Sequence, residues 1–134
     1  MKRLIAAIVL LLPLGAISAE AQKIDCENAS STVEMNFCAE KDFKAADKDL
    51  NVAYANAVAF IKERKLEKPY DAKSFEEALR AAQRTWLAYR DSDCKDLIAQ
   101  EWSGGSGTAA ASLECMTAKT IERTKELKDR YEEH

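Results

Sequence analysis

Two short clusters of helix-breaking residues divide this chain, and they limit what it can fold into. From Ser31 to about Leu66 the sequence contains no glycine or proline and is rich in Ala, Lys and Glu, which favour helix. The first break is EKPYDAKS, where Pro69 biases Lys68 away from helical dihedral angles. The second is SGGSG, directly after Trp102. Since no alternating pattern of useful length indicates a strand, the sequence predicts an all-α fold.

The breaks leave three long helices. The first begins at Ser31, where Glu34 three residues later completes a capping-box pattern. The second begins at Ser74 with the same pattern and lasts to about Trp102. The third begins around Thr108 and runs nearly to the end of the chain. We therefore expect a long antiparallel helical hairpin with a third helix packed along it, stapled by two disulfides.

Residues that recur at spacings of three and four predict one buried stripe on each helix. The third stripe is narrower and more polar than the others, so the third helix is expected to be the least buried. The three stripes consist of Phe43, Ala46, Leu50, Tyr54, Ala57 and Ile61; of Phe75, Leu79, Ala82, Trp86, Tyr89 and Leu97; and of Leu113, Met116, Thr120, Thr124, Leu127 and Tyr131.

The start of the chain has the layout of a secretory signal peptide. A basic beginning precedes an apolar run over residues 4–14 and an A-x-A site ending at Ala21. The run is too short for a membrane span, although a retained anchor helix and cleavage after Ala19 are alternatives. The sequence thus predicts a signal peptide over residues 1–21 and one domain over residues 22–134, in the periplasm or secreted. The residues before Cys26 lack the pattern of a lipoprotein site, so no lipid anchor is expected.

All four cysteines, Cys26, Cys38, Cys94 and Cys115, lie in the predicted mature part, which indicates two disulfides in an exported domain. A fold in the glycine turn brings Cys94 level with Cys115, which supports Cys94–Cys115 together with Cys26–Cys38. Bridges that tie the N-terminal segment and first helix to the other two helices are equally allowed. No C-x-x-C is present, so neither a redox motif nor a zinc knuckle is indicated.

Charge and the missing residue types exclude several functions. The predicted mature part has 18 basic and 22 acidic residues, which argues against nucleic acid and suits a cationic partner. The only histidine is the last residue, His134, so a Ser-His-Asp or Cys-His nucleophile is excluded. We expect no metal, no cofactor and no catalysis. A carboxylate-pair glycosidase built from Asp47, Asp91 or Asp93 is the weaker alternative.

The stretch LRAAQRTWLAYRDSDC, residues 79–94, concentrates polar and aromatic residues. Helical projection places its arginines on the flanks of the second helix, and the adjacent Arg90 and Asp91 are not expected to face each other. Asp47 and Asn51, one turn apart on the first helix, are candidates to meet an arginine across the hairpin. We interpret the set as a structural polar clamp that fixes helix register. Its members are Asp47, Asn51, Gln83, Arg84, Arg90 and Asp91.

Five segments, in order along the chain, carry a family resemblance. They are MNFCA (35–39), ADKDLNVAY (46–54), QRTWLAYRDSDC (83–94), GGS (104–106) and CMTAKTIERTKEL (115–127). With these motifs the chain resembles the LprI-type lysozyme-inhibitor N-terminal domain family of exported bacterial proteins.

The resemblance implies an exported helical domain, and some members of the family are thought to inhibit lysozyme, an often cationic protein. An inhibitor of this kind needs an element that fills the substrate cleft. The candidate is the glycine turn with its neighbouring tryptophan: Trp102, Gly104, Gly105 and Ser106. A plain helix connector is the alternative for these residues. For the whole protein, the alternative is a non-catalytic envelope interaction or stress domain that binds another protein or a glycan.

Overall fold

The computed structural model describes residues 24–132, and within this range the chain is all-α as predicted. Helix α1 spans Thr32–Glu63 and α2 spans Ala72–Asp91. A π-helical segment, Ser92–Leu97, leads into the short helix α3, Ile98–Glu101, and α4 spans Thr108–Tyr131. No described helix is long and apolar enough to cross a membrane. The predicted signal peptide lies outside the described residues.

The two predicted helix starts have different outcomes. The capping box of α1 is confirmed, since the Glu34 N–H donates to Ser31 Oγ and the Ser31 N–H donates to Glu34 Oε2. The predicted cap at Ser74 is wrong because Asp71 caps α2 three residues earlier. The backbone N–H of Ser74 donates to Asp71 Oδ1 at 2.9 Å and lowers the pKa of that carboxyl. A charged acceptor makes the stronger cap, which explains why Asp71 takes the position.

Helix α4 is not the least buried helix, which corrects the expectation from its polar stripe. It lies parallel to α1 and forms the most extensive helix contact in the structure, while α2 runs antiparallel to both. The buried residues of α4 are Met116, Thr120, Arg123, Thr124 and Leu127. Threonine suits this interface because its hydroxyl bonds to its own helix: Thr124 Oγ1 donates to the Thr120 carbonyl at 2.8 Å. Small alanines on α1, such as Ala53 and Ala57, face this contact and are buried.

The predicted stripe of α1 is confirmed, whereas that of α2 is partly wrong. Ala82 and Leu97 are exposed, and Tyr89 is 55% exposed. The buried positions of α2 are Leu79, Gln83 and Arg90, so two of its three buried side chains are polar. The apolar core itself consists of Leu50, Ala53, Ala57, Ile61, Leu79 and Leu127.

Candidate functional site

Both disulfides lie at the same end of the molecule. They join Cys26 to Cys38 and Cys94 to Cys115, which is the pairing that the predicted fold supports. Cys94 is fully buried, so the second bridge ties the end of α2 into the body of the protein. The first bridge closes the exposed N-terminal segment onto the start of α1.

The disulfide end is strongly acidic. Helices α1 and α4 start here and α3 ends here, so residues 24–42 and 91–115 lie together; we call them the acidic end. They contain ten Asp and Glu but only two Lys. The remaining described residues, 43–90 and 116–132, contain fifteen Lys and Arg against eleven Asp and Glu. Charge is therefore separated along the molecule, and the acidic end presents a field that attracts cations.

The turn between α3 and α4, residues 102–107, lies at the acidic end and is hydrogen-bonded both to the end of α3 and within itself. The N–H of Gly104 donates to the Ala99 carbonyl at 3.1 Å, and the N–H of Ser103 donates to the Gln100 carbonyl at 3.0 Å. This pair of bonds is a Schellman motif, which terminates the helix. The N–H of Gly105 also donates to the Trp102 carbonyl at 2.9 Å. The predicted contact residues thus sit in an ordered turn.

Trp102 is 50% exposed, and its ring covers Gly107. A Cβ at residue 107 would lie 2.4 Å from Trp102 Cζ3, so a side chain there would displace the ring. The indole is thereby held against the turn at Gly107, while half of the residue's surface faces solvent. Such a partly exposed, held aromatic ring is typical of an anchor residue in a protein interface.

Ser103 adopts a left-handed conformation, with φ of 49°, at the position where helices prefer glycine. We expect Ser103→Gly to raise the free energy of unfolding by about 0.5–1 kcal/mol because it relieves this steric cost. The matched control is Ser106→Gly in the same turn, where φ is not positive and added backbone freedom destabilises slightly. Urea unfolding measures both variants, and an equal shift for the two would contradict the assignment.

The polar clamp centres on Arg90. Its side chain is only 7% exposed, and Nη1 lies 3.1 Å from Thr120 Oγ1 and 3.4 Å from Asp47 Oδ1. The guanidinium carbon stands 5.2 Å from the ring centroid of Phe43 and 5.3 Å from that of Trp86. Arg90 therefore joins α2 to both other long helices, through hydrogen bonds and cation–π contacts together.

Arg90 and Asp91 do face each other, contrary to the prediction from their adjacency. Arginine Nε and Nη2 both lie 3.0 Å from Asp91 Oδ1, because the long arginine side chain folds back to its neighbour. Neighbouring residues on a helix have Cβ atoms that point in different directions, but this does not limit how far a long arginine side chain can reach. Burial acts to raise the pKa of Asp91, but hydrogen bonds from Lys95 and Arg90 outweigh it and lower the pKa below its ordinary value.

The other predicted clamp residues divide into two groups. Gln83 accepts from Arg123 Nε at 3.1 Å and so joins α2 to α4. Asn51 donates to Asp47 at 3.3 Å within α1, so it supports the clamp only through Asp47. Arg84 is exposed and, among the described residues, makes no hydrogen bond or ion pair, so it takes no part in the clamp. It lines a shallow groove of about 380 Å³ beside Asn51 and Tyr54. Sequence reasoning missed Arg123, since a buried arginine does not contribute to an apolar stripe.

A small polar cluster covers the Cys94–Cys115 bridge. Lys119 Nζ donates to Tyr89 Oη at 3.0 Å and lies 3.1 Å from Asp93. These two contacts, in that order, raise the pKa of Lys119 above its ordinary value. Asp93 also lies close to both disulfide sulfurs. Oxidised sulfur is not the thiolate that metals require, so this trio offers a metal one protein ligand at most.

Comparison with known proteins identifies the family of the chain and a relative of similar length. A sequence model described as "Lysozyme inhibitor LprI" matches residues 25–127, a range that contains the four cysteines, the clamp and the turn. An uncharacterized protein of Rhizobium meliloti (strain 1021) is 35% identical over 127 residues, covering 92% of this chain and 91% of that protein. No solved structure matches the chain.

Proposed function

Since this chain belongs to the LprI lysozyme inhibitor family, we propose that it binds a cationic lysozyme and blocks the substrate cleft with the turn. Binding is non-covalent and requires no catalytic group, metal or cofactor. The observation that carries the proposal is the place of the turn: a held, half-exposed Trp102 stands at the acidic end. We further propose that the protein is exported through its signal peptide and acts in the periplasm or outside the cell.

The charge of the acidic end supports this proposal, because it would steer a cationic protein as the two approach each other. The acidic end, which carries the turn, has ten carboxylates against two lysines, so attraction to a cationic protein also orients it toward this end. Added salt screens exposed charges and should therefore weaken inhibition.

The test measures turnover of peptidoglycan by a c-type lysozyme with increasing amounts of the oxidised mature protein. We expect dose-dependent inhibition, and Trp102→Ala should weaken it by about thirtyfold because central aromatic residues contribute 2 kcal/mol or more to such interfaces. The matched control is Tyr70→Ala, which removes an aromatic side chain that is 79% exposed at the opposite end. It should leave inhibition unchanged.

Two results would overturn the proposal. An equal loss of inhibition in Trp102→Ala and Tyr70→Ala would show that the turn is not the contact surface. No inhibition of c-, g- or i-type lysozymes at large excess would favour the alternative, a non-catalytic envelope domain that binds another protein or a glycan.

A further inference from the structure

An apolar groove lies between α1 and α4 on the side that α2 does not cover. It encloses about 490 Å³, and its floor includes Met35 and Ala39 from α1 with Ala118 and Ile121 from α4. Met35 is 42% exposed and Ile121 is 57% exposed, so much of this floor is open to solvent. Cys26 and Ala29 of the N-terminal segment border the groove. Exposed apolar surface that is contiguous and rimmed by polar residues is a feature of protein interaction sites.

The rims of the groove are acidic. Asp42 projects from α1 and Glu114 from α4, so one carboxylate stands on each helix. Among the described residues, no lysine or arginine pairs with either one. Most of the residues that line the groove belong to the acidic end, which has ten Asp and Glu against two Lys. A partner must therefore supply apolar side chains for the floor and positive charges for the rims.

The arrangement of α1 and α4 indicates which kind of structure the partner has. Helices α1 and α4 are parallel neighbours, and the space between them on this side is the place of a fourth helix in a bundle. From Glu114 to Ile121 the groove extends about two helical turns at 1.5 Å per residue. We propose that this groove binds a cationic amphipathic helix, with its apolar face on Met35 and Ile121 and its basic residues against Asp42 and Glu114. This interaction is separate from lysozyme inhibition and does not use the turn.

The probe is an 18-residue peptide of Leu and Lys arranged as an amphipathic helix, titrated into the oxidised mature protein by calorimetry. Binding is expected, and Ile121→Lys should weaken it at least tenfold by placing a charge on the apolar floor. The matched control is Val52→Lys, since Val52 is 52% exposed on α1 and lies outside the groove. Both sites are exposed, so both variants should fold, and circular dichroism checks that they do.

A second pair of variants tests the charge. Asp42→Asn with Glu114→Gln should weaken binding about five- to tenfold, because two exposed ion pairs are lost. Glu63→Gln with Glu67→Gln makes the same change in net charge at the opposite end and should have little effect. Equal effects of the two pairs, or equal binding of a Leu and Glu peptide of the same pattern, would overturn the proposal. A dimer in sedimentation that Ile121→Lys disrupts and Val52→Lys does not would show that a second copy of the chain closes the groove, and would overturn the proposal too. Loss of lysozyme inhibition in Trp102→Ala with unchanged peptide binding keeps the two activities distinct.

Discussion

Arg90→Ala is expected to lower the free energy of unfolding by about 3 kcal/mol. The change removes hydrogen bonds to Thr120, Asp47 and Asp91 and the contacts with two aromatic rings. The two carboxylates are each 41% exposed, so water hydrates them once the guanidinium is gone. The loss therefore comes from the arginine's own contacts and not from stranded buried charges.

Arg84→Ala is the matched control for this substitution. Arg84 lies six residues earlier in α2 but is exposed, so its removal should change stability by less than about 0.5 kcal/mol. Arg90→Lys retains the charge but not the forked geometry, and an intermediate loss is expected. Thermal and urea unfolding measure all three. Equal stability of Arg90→Ala and Arg84→Ala would show that the clamp contributes nothing measurable.

Cys94→Ala with Cys115→Ala is expected to lower the free energy of unfolding by about 3 kcal/mol. The bridge joins residues 21 positions apart and so lowers the conformational entropy of the unfolded chain. In the folded state it joins the end of α2 to α4, which are both already ordered, so the full entropic effect stabilises the fold. Alanine is the appropriate replacement because Cys94 is fully buried and serine would bury a hydroxyl.

Cys26→Ala with Cys38→Ala provides the comparison. This bridge holds a short exposed segment to the start of α1, and when it is removed the folded state regains the freedom of that segment as well. We expect less than half the loss of the other pair in the same thermal unfolding measurement. An equal or greater loss would mean that residues 24–31 form part of the cooperative core.

Apolar spacing predicted the helices well, because α1 buries alanine, leucine and isoleucine at regular intervals. It failed on α2, where Gln83 and Arg90 occupy buried positions and Tyr89 does not. A polar side chain can be buried when partners on other helices satisfy it, and those partners are not adjacent in sequence. Arg123 was not predicted for the same reason, since its partner Gln83 lies on another helix. The position of the turn was predictable from its glycines. The left-handed backbone of Ser103, which ends the helix, was not, because serine has no preference for that conformation.

The parallel pairing of α1 with α4 determines when this chain can fold. The two helices that share most of the core are the first and the last, and Asn56 pairs with Glu132 across 76 residues. A nascent chain that ends within α2 holds an α1 with no partner for Ala53 and Ala57, so its apolar stripe stays exposed until α4 arrives. Long-range contacts of this kind slow folding and leave the incomplete chain prone to aggregate. Truncation of α4 should thus remove the whole fold at once, and no stable two-helix fragment is expected.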